Sequence, residues 1–342
     1  MRTAVGAAHT VQGWEVLRPW SVARIHLSGG ETATVVAKWL RDGRDGLRAD
    51  PSQVTTEYSA LVFLSRVSPG SAPRPLGVDQ EAGVLLLEDL GPRRPLLDLI
   101  VEAQGGAKEG LRLFAADLAR MHVKTRGGRD GYYQERARWG PVDPRGELLR
   151  FCHPLPDLDG LGDVLGAPAR VAVTSDVARL LDELAEPGPF LAFSNGDSGV
   201  NNYLIHGRDG RFIDFEFAGF RHCLTDVACL YVPGPQWMAV ADPRDDGTET
   251  TYRLTLSASV SEAEDDGAYG LGISSAGLGY ALHRLGRLPV LDARPAGHES
   301  RRQMITTLAA AVRTARRFGC LTGLAGWVEN LGDRLRRRWP DA

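Results

Sequence analysis

Two strand-like runs joined by a glycine turn constrain this chain more than any other stretch. Residues 14–40 alternate in a strand-like way: "VARIHL" (22–27), a turn at Ser28-Gly29-Gly30-Glu31, then "ATVVAKWL" (33–40) running back. Strands joined by so short a connection pair antiparallel, whereas a parallel pair needs a crossover of a dozen or more residues. The fold therefore opens on an antiparallel sheet. "SQVTTEYSALVFLSRV" (52–67) follows, with Val54, Tyr58, Leu61, Val62 and Leu64 close to helical spacing. After a proline-rich connector over 69–78 comes an apolar strand, "EAGVLLLEDLG", which stops at Gly91-Pro92. The remainder changes character. Helical periodicity runs over 110–125 and 175–188, the latter with Ser175 as N-cap, and over 300–318 and 321–339. Between the first two lies a stretch rich in Gly, Pro and Asp that reads as irregular. The pattern predicts an α+β protein: an N-terminal antiparallel sheet with one main helix, then a larger, mostly helical part. Its boundary falls near residue 92, giving units 1–91 and 92–342.

Bulk properties exclude several function classes. The chain has 342 residues, 43% of them apolar, with a net charge of −3, so nothing draws it to nucleic acid or a membrane surface. No apolar run approaches the roughly 18 residues of a membrane span, and the N-terminus lacks the apolar core of a signal peptide. Four cysteines without a CxxC pair fit free thiols in a reducing compartment, so a cytoplasmic protein is expected. One local asymmetry stands out. Asp242–Asp266 is acidic, including Asp245, Asp246, Glu262, Glu264, Asp265 and Asp266, while the last forty residues are basic. Oligomeric state is not legible.

The chemistry concentrates in "FSNGDSGVNNYLIHGRDGRFIDFE" (193–216). Its second part reads as a hairpin around Gly207 and Gly210. Centred near 208–209, that hairpin brings Asn202 across from Asp214 or its neighbour. An amide oxygen and a carboxylate, with room for water and phosphate, suit Mg²⁺. Asp197 sits in a loop five residues before Asn202, where a carboxylate can take a proton from a hydroxyl attacking a metal-bound phosphate. The same residues would also serve as plain turn formers, with Asp214 capping a turn. Lys38, at the end of "TVVAK", and Glu57, in the first turns of the next helix, have bland roles too: a strand-end lysine and a favourable helix-start charge.

Together these elements resemble the aminoglycoside phosphotransferase and choline kinase-like family, small-molecule relatives of the protein kinases. That family's catalytic loop, His-Gly-Asp with Asn five positions on and then Ile-Asp-Phe/Trp, appears as Asn195-Gly196-Asp197, Asn202 and Ile213-Asp214-Phe215-Glu216. "LTDVACLY" supplies the downstream Asp-Val-Ala element through Asp226, and "LARMHVKT" the Leu-His helix end through His122. The resemblance implies a bilobal protein-kinase-like fold whose hinge lies near 88–92. It implies Asp197 as catalytic base, Asn202 and Asp214 as Mg²⁺ ligands, and Lys38 held by Glu57 on the phosphates of ATP. It also implies the Glu88 carbonyl and Leu90 amide as contacts to the adenine edge, and structural roles for His122 and Asp226.

The chain departs from the kinase pattern in three places. Asn195 stands where the family has histidine, Glu216 where protein kinases have glycine, and no GxGxxG is present, only Gly29-Gly30. The implied activity is ATP- and Mg²⁺-dependent transfer of the γ-phosphoryl group to a hydroxyl of a small molecule. An aminoglycoside or other antibiotic natural product is the first expectation for that acceptor. A metabolic kinase for a sugar, amino alcohol or amino acid is the alternative, and a catalytically silent relative a third. The acidic segment offers charge complementarity to a polyamine-like acceptor or a solvated loop, and Trp237 a stacking surface.

Overall fold

The structure, a computed structural model, describes residues 9–18, 21–40, 50, 52–102, 106–152, 155–197, 199–233 and 242–342; Trp237 lies outside them. The chain forms two compact units. One comprises Met1–Leu99, Lys124–Asp143 and Phe193–Gly219; the other comprises Ile100–Val123, Pro144–Ala192 and Phe220–Ala342. The chemistry-bearing segment, far downstream in sequence, thus belongs to the unit that holds the N-terminal sheet.

In the first unit, β1 (Thr10–Arg18), β2 (Val22–Ser28), β3 (Thr34–Trp39), β4 (Pro75–Asp79) and β5 (Val84–Glu88) form one sheet, ordered β1-β2-β3-β5-β4. Every neighbouring pair is antiparallel. The β2–β3 hairpin is the one its sequence predicts. Two strands are additions. β1 is an edge strand with register shifts after Val11 and Val16, and almost all of it is exposed, so no clean alternation marks it. β4 lies in the supposed proline-rich connector; Pro75 fits there because it is the first residue of the opposite edge strand.

Helix α1 (Ser52–Val67) has the predicted bounds. It starts there because Asp50 accepts from the Ser52 amide at 2.9 Å, satisfying one donor of the first turn. Beneath it, Phe63, Tyr132 and Phe193 form a buried aromatic cluster with centroids 4.9–5.8 Å apart, and Tyr132 donates to the Ala218 carbonyl at 3.0 Å. This cluster anchors the chain on either side of residues 194–216.

The second unit is helical. Its main elements are α2 (Ala107–Thr125), whose last two residues lie in the first unit, α3 (Val171–Ala185), α4 (Thr248–Ser257), α5 (Asp266–Leu285), α6 (Glu299–Phe318) and α7 (Thr322–Arg338). α5 packs on α6 and α3, and α7 on α6 and α3. Two expectations need correction. α3 begins at Val171, so Ser175 is inside the helix and not its cap; Val173, Leu180 and Leu184 carry the buried stripe back past it. The stretch read as irregular contains helices at Arg129–Arg136, Pro144–Cys152 and Leu158–Leu165. The last is only eight residues long, bounded by an Asp157 side-chain cap and a left-handed Gly166. In such short helices glycine and aspartate act as punctuation and mask the periodicity. Among the described residues, no helix is long and apolar enough to cross a membrane.

Candidate active site

The loop after β6 (Leu191–Ser194, numbered after the sheet strands) is built by its own side chains. The Ser194 hydroxyl accepts from the Gly196 amide at 2.9 Å, and the Asn195 amide oxygen accepts from the Asp197 amide at 3.2 Å. Gly196 has φ +83°, and a Cβ there would sit 2.2 Å from the Phe217 carbonyl oxygen, so only glycine fits. The result is a buried Asn195 beside an exposed Asp197. Asn195 thus bonds the main chain of the loop from the position where the resembled family has histidine.

Downstream, β7 (Tyr203–His206) and β8 (Asp209–Phe212) form the hairpin. The turn is Gly207-Arg208, one position earlier than the glycine spacing suggested, because His206 pairs with Asp209 and Gly207 takes φ +59°. Gly210 is therefore a strand residue beneath the Tyr203 ring, and not part of the turn. The shift sets Asn202 opposite Ile213, whose amide donates to the Asn202 carbonyl at 2.9 Å. Asp214 comes next, with φ +67°, one of two described non-glycine residues with positive φ. Aspartate tolerates this left-handed conformation better than most residues, at a cost of about 1–3 kcal/mol. The Asn202 side chain, 1% exposed, donates to the Asp197 carbonyl at 2.9 Å and to its carboxylate at 3.3 Å. Its oxygen accepts from Asn201 at 2.9 Å and keeps a second lone pair.

Four charged groups meet next to this loop. The Lys38 ammonium bonds Glu57 at 2.5 Å, pairs with Asp214 and lies 3.3 Å from Glu216. Glu57 also accepts from the Phe215 amide at 3.3 Å, so one buried carboxylate ties α1 both to the lysine of β3 and to the backbone after Asp214. Burial disfavours the Lys38 charge, but the three carboxylates outweigh it and hold its pKa well above the usual lysine value. Burial raises the Glu57 carboxyl, with the Lys38 charge pulling the other way and Asp214 adding to the rise. Oxygens of Glu57, Asp214 and Glu216 lie within 4.8 Å of one another. Hard oxygens of this kind fit a magnesium ion.

The sheet and hairpin enclose a cavity of about 430 Å³, within the range of small-molecule sites. Val22, Val36 and Leu87 line it from the sheet, Leu204 and Ile213 from the hairpin, an apolar slot suited to a flat ring. Lys38, Glu57 and Asp214 line it too, as do Glu88 and Leu90. In the second unit, His122 and Asp226 meet at 3.2 Å and the other ring nitrogen of His122 faces the Tyr252 hydroxyl at 2.9 Å, all three buried.

Sequence reasoning missed three features. Glu216 appeared only as a missing glycine, yet it is a third carboxylate at Lys38. Arg24 of β2 pairs with Asp89 in the cavity wall, with donor contacts of 2.5 and 3.2 Å. The search for a phosphate loop looked at Gly29-Gly30, in the β2–β3 turn, whereas the cavity is lined from the β1–β2 connection, by Arg18, Ser21 and Val22. Only knowledge that 10–18 is a strand could have found that connection. The acidic segment also has local duties. Asp246 accepts from the Thr248 amide, Asp265 caps α5, and Asp266 pairs with Arg253 at 2.7 Å.

Comparison with known proteins agrees with this geometry. The model of the phosphotransferase enzyme family matches residues 18–256, well over half of the chain. An ethanolamine kinase of Plasmodium vivax superposes with a TM-score of 0.52 at 10% identity, covering 89% of this chain and 82% of that one. An amicoumacin kinase solved with AMP-PNP, Ca²⁺ and Ami does so at 0.50 and 14% identity, covering 91% and 88%. At these identities the likeness is one of fold, the α+β kinase-like architecture. No curated protein sequence matches the chain.

Proposed function

The chain belongs to the phosphotransferase enzyme family, and from that premise we propose that it transfers the γ-phosphoryl group of ATP to a hydroxyl of an aminoglycoside or other antibiotic natural product. The observation that carries the reaction class is the convergence of Lys38, Glu57 and Asp214 on one cavity beside the Asn195–Asn202 loop. The same proposal includes a cytoplasmic location, where ATP is plentiful.

Each residue has a role in this proposal. The apolar slot takes the adenine, with the Glu88 carbonyl and Leu90 amide at its edge. Lys38, positioned by Glu57, neutralises phosphate oxygens. Asp214 and Asn202 would hold Mg²⁺, with Glu216 close enough to assist; the ion, when bound, screens phosphate charge during transfer. Asp197, exposed and oriented by the Asn202 amide, accepts the proton of the attacking hydroxyl. The hydroxyl oxygen then bonds to phosphorus as the bond to the ADP oxygen breaks. Catalysis is then mainly positioning and charge stabilisation.

The test is ADP release with Mg²⁺-ATP across aminoglycosides, other hydroxylated antibiotics, sugars, amino alcohols and amino acids. Release stimulated by an antibiotic, with a product one phosphate heavier, is the expected outcome. Stimulation by a metabolite class alone would refute the acceptor assignment. Asp197→Ala should lose at least about 100-fold in turnover while Mg²⁺-ATP affinity stays within a few-fold. Near-normal turnover in that variant would remove Asp197 as the base.

A further inference from the structure

Starting from the kinase reading above, we propose that Arg18 grips the terminal phosphates of the nucleotide, supplying from a side chain what a glycine-rich loop supplies from backbone amides. The argument is one of register. Arg18 of β1 pairs with Val22 of β2, and Val22 pairs with Lys38 of β3. Residues directly opposite in a sheet project to the same face, so Arg18 and Lys38 share the face that lines the cavity. Two strand spacings put their Cα atoms about 10 Å apart. Both side chains are long, and a phosphate group held at the Lys38 ammonium lies within reach of the Arg18 guanidinium.

Charge accounting singles out the same residue. Four cations line the cavity: Arg18, Arg24, Lys38 and Arg93. Lys38 is surrounded by three carboxylates. Arg24 is paired with Asp89 and Glu15. Arg93 is paired with Asp209 at 2.5 Å and donates to the Leu90 carbonyl at 3.1 Å. Arg18 alone makes no ion pair among the described residues. A nucleotide triphosphate brings several negative charges into this cleft, and a guanidinium can donate two parallel bonds to one phosphate group. Ser21, at the other end of the same connection, lines the cavity as well.

The experiment is calorimetric titration of the wild-type protein, Arg18→Ala and Arg18→Lys with Mg²⁺-ATP, ADP and adenosine. Arg18→Ala should bind Mg²⁺-ATP about 10- to 100-fold more weakly, the worth of hydrogen bonds to a charged group. Adenosine affinity should be unchanged, which also shows that the variant is folded. Arg18→Lys should fall between the two, because it keeps the charge and loses the fork. Unchanged Mg²⁺-ATP affinity in Arg18→Ala overturns the proposal while leaving the kinase reading intact. Equal losses for ATP and adenosine overturn it as well, because Arg18 would then shape the base slot. If the wild-type protein binds adenosine and Mg²⁺-ATP not at all, the kinase reading fails and the Arg18 assignment with it.

Discussion

Replacing Lys38 by methionine removes the one cation among three carboxylates, and the cage around it sets the consequence. Oxygens of Glu57, Asp214 and Glu216 lie within 4.8 Å of one another. At an effective dielectric constant of 20, unit charges at that distance repel by about 3 kcal/mol per pair. The variant relieves this most cheaply by keeping a proton on one carboxyl. With an unfolded-state pKa near 4.3, holding that proton costs about 5 kcal/mol at pH 8 and only about 1 kcal/mol at pH 5. Glu57 is the natural holder, because burial already pushes it above the usual carboxylate range. A carboxyl whose folded-state pKa is raised gives stability at low pH that disappears as pH climbs through that pKa. Lys38→Met should therefore be destabilised relative to the wild type by several kcal/mol more at pH 8 than at pH 5, with about 4 kcal/mol as the ceiling. The wild-type lysine contributes no slope of its own there, because its folded-state pKa is raised and its charge persists across the window. The raised Glu57 carboxyl gives the wild type a slope of the same sign, made smaller by the Lys38 charge, and that part cancels in the comparison. The assay is thermal unfolding of both proteins in EDTA without nucleotide, from pH 5 to pH 8. Each kcal/mol corresponds to about 2–4 °C in chains of 150–250 residues. A melting deficit that stays constant across the range would refute the cage, since the carboxylates would then not depend on Lys38 for their charge.

Two further substitutions probe the frame of the site. Gly196→Ala forces a Cβ to within 2.2 Å of the Phe217 carbonyl oxygen at a φ of +83°. Turnover should fall by at least about 10-fold, with a stability loss of about 1–3 kcal/mol measured by urea titration; normal kinetics would mean that the loop has another conformation. Asp89→Asn removes the charge opposite Arg24. Burial raises the Asp89 carboxyl, but the Arg24 and Gly91 bonds together hold it below its ordinary pKa. Its stability contribution is present above the unfolded-state pKa and is lost as pH falls through the folded one. The variant should cost about 1.5–3 kcal/mol at pH 7, shrinking toward pH 3; a deficit equal at both ends of a pH series of melts would show that the carboxylate charge is not what holds Arg24.

What the sequence made legible was local. The spacing from Asp197 to Asn202 is a property of one loop, and the hairpin that follows needs only its own turn, so both survive in the string of residues. Lys38 and Glu57 are legible because a strand end and a helix start each have a sequence signature. Glu216 and Arg18 are different. Glu216 reaches Lys38 two residues after Asp214 takes a left-handed conformation, which no residue pattern announces. Arg18 acquires its place from cross-strand register two strands away, through a strand whose outer edge is bare. With Val11, Trp14, Val16 and Leu17 all largely exposed, β1 carries no buried stripe to betray it. The hydrophobic pattern that identifies a strand comes from burying one face, and an edge strand that buries neither loses the signal and keeps its geometry. On the reading proposed above, the wall that would face the phosphates is hung on such a strand, and the residues hardest to read are for that reason the ones that would hold the nucleotide.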